Sequence, residues 1–183
     1  MIDSQQASEA LNDINAIVQR VRQSRIYNLA SLLLIQWGVL VFAGNVMTYL
    51  WPRYGGLIWI TIDAVGVLGS LAISAFSYPK TGVRTFGGRM LVAFLLYFAF
   101  GFFFSSVLGH FTPRQLTTFW SLYAMMTYTI AGLWFGYAFV ALGLAISALT
   151  LVGYFFAGPW FDPWMAFVSG GGLILGGLWM RRS

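Results

Sequence analysis

Asp63 is the side chain best placed to do chemistry, because it stands alone in an apolar run with no other charge between Arg53 and Lys80. A carboxyl at the centre of a bilayer costs about 2.5–3.5 kcal/mol on insertion scales, so such a residue marks an ion, proton or ligand site unless it serves, protonated, as hydrogen-bonding glue. Gly66, Ser70 and Ser74 follow at helical spacing, putting small residues on Asp63's own face where a second helix can approach closely. Counted from the turn near Arg53, Asn45 and Asp63 reach nearly the same depth, within about 1.5 Å. The same counting from the other turns on that side brings Tyr123, Thr127 and Ser169 into that layer. The expectation is a polar intramembrane cluster of Asp63 and Asn45 with one or more of these hydroxyls. Gln36 falls on the opposite side of its helix from Asn45 and reads as interhelical glue.

The remaining candidates are thinner. His110 is the one histidine, near Asp162 and Arg114 in the turns, where the three would form a small patch titrating near neutral pH. Metal sites need several such ligands together, and none is expected. The chain has no cysteine, which excludes disulfides and thiol chemistry. Between Lys80 and Arg89, Gly82 and Gly87 have the interval of a phosphate-binding loop. Gly88 and Arg89, however, stand where Lys and Ser or Thr are required, and no strand precedes them. With so few acid–base pairs, an enzyme is not expected.

These residues must be held by apolar helices. Of 183 residues 59% are hydrophobic and 8% charged, and the long runs are Tyr27 to Trp51, Gly55 to Phe76, Met90 to His110, Gln115 to Gly136, Tyr137 to Ala157 and Trp160 to Met180. Each approaches the ~20 residues that an α-helix needs to cross about 30 Å of hydrocarbon. The fold class read from this is all-α: a polytopic membrane protein of six transmembrane helices, residues 27–183. Tryptophan and tyrosine near the segment ends, among them Trp51, Tyr54, Trp134, Tyr137, Trp160 and Trp179, suit an interfacial belt.

Charge sets the orientation. Arg20, Arg22 and Arg25, then Lys80, Arg84 and Arg89, then Arg181 and Arg182 fall in alternate gaps, while the other gaps hold only Arg53 and Arg114. Basic residues beside spans stay cytoplasmic, so both termini are expected inside, with those eight facing anionic lipid headgroups. The basic pI is topological and does not indicate nucleic-acid binding.

Residues 1–26 form the cytoplasmic extension. Asp3 or Ser4 can cap a helix with Gln6 as capping-box partner, and Ala7, Leu11, Ile14, Val18 and Val21 repeat at heptad spacing. That stripe suits the bundle, the bilayer surface, a partner helix or a second copy. On the later helices Ala141 with Ala145 and Gly172 with Gly176 are expected to mark helix packing.

The polar first helix, the six short-looped crossings and a last helix ending Gly-Gly-Leu-Trp-Met-Arg-Arg at 176–182 resemble a loose group of small bacterial inner-membrane proteins of unassigned function, often encoded beside winged-helix regulators. The resemblance implies a multi-pass protein of the bacterial inner membrane and carries no site residues. Partners are then the lipid bilayer and other membrane chains, in a homo- or hetero-oligomer. The cofactor is unknown: pigment, quinone or lipid binding between the aromatic helices is possible and has no signature in the sequence. The leading expectation is a non-enzymatic accessory or structural subunit, and the alternative is a small channel or carrier using the Asp63 layer.

Overall fold

The computed structural model describes residues 4–81 and 88–182. Every element in it is helical. Helix α1 (Ser4–Leu50) is a single 47-residue rod. No glycine or proline precedes Gly38, so nothing interrupts the hydrogen-bond ladder, and the expected boundary between residues 26 and 27 is not a break in the helix. The proposed cap at Asp3 lies outside the described residues.

A 3₁₀ turn (Pro52–Tyr54) leads to α2 (Gly55–Thr81), and α3 (Gly88–Phe103) ends in a π-helical turn (Phe104–Leu108). Helix α4 (Pro113–Phe135) starts on a capping box that the sequence reading passed over. Thr112 N–H donates to Gln115 Oε1 at 2.9 Å, Gln115 N–H donates back to Thr112 Oγ1 at 3.3 Å, and Pro113 fills the first helical position.

One residue, Gly136, joins α4 to α5 (Tyr137–Phe156). Its φ of 130° is open to glycine and strained for any other residue, which makes so tight a turn possible. The last segment comes in pieces: a 3₁₀ turn (Gly158–Trp160), α6 (Phe161–Met165), a π-helical stretch (Ala166–Gly171) and α7 (Gly172–Arg182).

Four stretches among the described residues are long and apolar enough to cross a membrane: Tyr27–Leu50, Pro52–Phe76, Tyr137–Phe156 and Gly158–Arg182. Val92–Leu108 is apolar but shorter. Helix α4 carries Thr117, Thr118, Ser121, Thr127 and Thr129, whose hydroxyls lower its hydropathy.

The core is built from α1, α4, α5 and the last segment. Tyr27 and Leu34 meet Met125, Phe139, Leu142, Ile146, Leu173 and Met180 there. Glycines let backbones touch: a Cβ on Gly170 would stand 2.6 Å from Phe42 N, and one on Gly177 would stand 2.9 Å from Ser31 O. Helix α2 leans on α1, with 17% of its apolar window buried against 44% for the last segment, so it is peripheral. Helix α3 rests on α4 through aromatic rings. Tyr97 stacks on Tyr123 at 4.5 Å between centroids, Tyr123 on Phe119 at 5.5 Å, and Phe119 on Phe104 at 5.5 Å.

Candidate functional site

Asp63 sits half-buried on α2 and makes no hydrogen bond or ion pair among the described residues. Its face is the one α2 turns to α1. One turn on, Gly66 is covered by the Trp37 ring, and two turns on, Ser70 Oγ accepts the Trp37 indole N–H at 3.0 Å. Trp37 in turn packs against the core, so the helix face of Asp63 looks inward. Gln36 Nε2 donates to Gly66 O at 2.8 Å while its amide covers Gly69, which is the interhelical glue expected of it. Ser74 continues the seam, buried, with its hydroxyl unpaired.

Asn45 lies at the level of Asp63, since its neighbour Gly44 faces Ile62 and Trp59 across the α1–α2 contact. The pairing does not follow. Asn45 is 2% exposed, and its Nδ2 donates to Val41 O of its own helix at 2.8 Å. Tyr123 OH donates to Tyr97 O at 3.1 Å, Thr127 Oγ1 donates to Tyr123 O at 3.3 Å on an exposed face, and Ser169 turns to Ser121. The five residues assigned to one layer are therefore split among the α1–α2 seam, the α3–α4 contact and the last segment, and no hydrogen bond joins Asp63 to the other four.

The structure builds a different polar cluster. Ser121 on α4 lies 3.1 Å from Thr150 Oγ1 on α5 and 3.1 Å from Ser169 Oγ in the π-helical stretch. Thr150 is fully buried and Ser169 nearly so, so each hydroxyl must find its partner inside the protein. Ser169 was expected in a polar layer, whereas Ser121 and Thr150 were not named among its members.

At that end Arg114 acts as a clamp. Its Nη2 donates to Gly153 O at 3.1 Å and Tyr154 O at 2.6 Å, two carbonyls of the last turn of α5, the first of which also accepts the capping Ala157 N–H at 3.0 Å. The guanidinium lies 4.9 Å from the Phe161 ring centroid and 5.5 Å from that of Tyr154, and it interacts electrostatically with Asp162. His110 is exposed and joins neither of them by a hydrogen bond. Among the described residues no three His, Asp or Glu side chains converge.

The packing residues divide in the same way. Gly66, Ser70 and Ser74 are buried on the α2 face toward α1. Gly172 meets Ile146 and Gly176 meets Leu142, which brings α7 against α5. Ala141 and Ala145, expected at a helix contact, are instead exposed and line a furrow beside it. Of the basic residues, Arg181 and Arg182 are exposed at the end of α7. Arg84 lies outside the described residues, as do the side chains of Arg20, Arg22, Arg25, Lys80 and Arg89.

No family model, curated protein or solved structure matches this chain.

Proposed function

We propose that this is a non-enzymatic membrane subunit with six crossings and both termini in the cytoplasm of a bacterial cell, and that its extended first helix recruits another chain. The observation that carries this is the part of α1 before Tyr27. At 1.5 Å per residue, residues 4–26 extend about 33 Å beyond the membrane-spanning part of the rod. Leu11 is 60% exposed and Ile14 56% exposed on that extension, two members of the heptad stripe left open among the described residues. An apolar stripe on an otherwise polar helix is the form that docks into a partner's groove. Among the described residues the charged groups are spread over separate contacts.

The test is native mass spectrometry of the protein extracted gently from its own membranes at natural expression. A mass made of several different chains supports the subunit reading. The double variant Leu11→Glu with Ile14→Glu should release those chains and leave the protein in the membrane. A bare monomer or homo-oligomer would overturn the reading.

A second reading is favoured by one feature, the inward-facing Asp63, unpaired among the described residues. A carrier built on it predicts that Asp63→Asn abolishes ion or solute flux in proteoliposomes while membrane insertion and thermal stability are kept.

A further inference from the structure

Helices α5 and α7 approach closely because Gly176 receives Leu142 and Gly172 receives Ile146. On the outer side of that contact the next side chains are only Ala141 and Ala145, too small to fill the angle between the two cylinders. The result is a furrow of about 330 Å³, open along one side and walled by Leu175 and Trp179. Its lining is apolar, and no segment of the described chain enters it.

We infer that this furrow binds one acyl chain of an anionic phospholipid of the cytoplasmic leaflet, with Arg181 and Arg182 holding the phosphate. The assignment rests on the membrane orientation proposed above. From Gly172 to Trp179 the helix rises about 10 Å, which fits within one half of a ~30 Å hydrocarbon core. The furrow therefore lies in a single leaflet and ends where a headgroup begins. Trp179 stands at that end against Tyr137, their rings 6.0 Å apart, as an interfacial aromatic pair would. Arg182 follows Trp179 by one helical turn, on its face.

The charge at this end selects the occupant. Arg181 and Arg182 are exposed and unpaired among the described residues. A second copy docked here about a two-fold axis along the membrane normal would bring its own two arginines to the same depth, setting like charges against each other. A phosphodiester supplies the missing charge, accepts hydrogen bonds from the guanidinium fork, and carries an acyl chain for the apolar slot.

The test uses the full-length chain, purified, delipidated in detergent and incubated with equal amounts of phosphatidylglycerol and phosphatidylcholine bearing the same acyl chains. Native mass spectrometry then reads what is retained. We expect one phosphatidylglycerol per chain, at least tenfold over phosphatidylcholine. Ala145→Phe, which fills the furrow, should abolish retention. Arg181→Gln with Arg182→Gln, which leaves the helices untouched, should remove the preference. Leu68→Phe, on the exposed face of α2, should change nothing.

Equal retention of the two lipids, or full phosphatidylglycerol retention by Ala145→Phe, overturns the proposal. So does a dimer that Ala145→Phe dissolves, since a second copy would then own the furrow. The orientation itself is read separately, by whether the Arg182→Cys variant is labelled from the cytoplasmic side, so its failure is distinguishable from that of the lipid site.

Discussion

Gly170 and Gly171 are adjacent in the π-helical stretch and have opposite surroundings. A methyl on Gly170 would press on the Phe42 backbone, whereas one on Gly171 would meet nothing within 4 Å. Overpacking against a backbone that cannot yield costs typically 1–3 kcal/mol. Gly170→Ala should therefore lower the unfolding midpoint in detergent and Gly171→Ala should not. Equal midpoints would mean that α1 and the last segment are further apart than described. Single residues were legible in the sequence where their type alone fixes their need. Gly172 and Gly176 announced a helix contact, and Gln36 could only bond across to a neighbour. Asn45 and Asp63 lie at a similar level on neighbouring helices and do not bond, because level says nothing about rotation: Asn45 satisfies itself on Val41 O and is buried.

The helices were legible as elements because apolar runs of membrane length leave the backbone few alternatives. The expected segments and the observed ones differ by a few residues at most ends. What periodicity hides is a change of helical pitch. The Ala166–Gly171 stretch winds more residues into a turn than an α-helix does, so counting at 3.6 residues per turn mislays whatever follows its start, and Ser169 is carried to Ser121. That hydroxyl cluster ties three helices through its centre. Removing Ser121 leaves two buried hydroxyls without that partner, whereas replacing Thr150 by Val leaves Ser121 still bonded to Ser169. We therefore expect Ser121→Ala to cost about 1–3 kcal/mol and Thr150→Val less, read as unfolding by denaturing detergent in mixed micelles. The opposite ranking would show that Thr150 contributes through its methyl packing and that the cluster is incidental.

The whole molecule turns on whether α3 and α4 cross the membrane. Four crossings and six both put the termini on one side, so locating the termini cannot decide. The contacts bear on it more directly. Tyr49, at the end of α1, stacks on Trp160 in the α5–α6 turn at 6.2 Å, and Arg114, at the start of α4, holds the carbonyls that end α5. These contacts gather three turns at one end of the bundle. If α5 and the last segment cross, the 109–112 turn is carried to the outer surface with them, and α3 and α4 must traverse the same hydrocarbon. The tyrosine and phenylalanine rings along the α3–α4 contact, and the back-bonding of Thr118, Thr127 and Thr129 to their own helix, make that passage tolerable for a segment of moderate hydropathy. Because the native chain has no cysteine, one placed at exposed His110 is a clean reporter. A membrane-impermeant maleimide should label it on intact spheroplasts and fail to label it in sealed inside-out vesicles. A cysteine at Arg182 should give the reverse. Labelling of position 110 only from the cytoplasmic side would make α3 and α4 a hairpin that returns to the inner face. The Arg114 clamp could not then hold the outer end of α5, and the bundle would have to be redrawn around four spans.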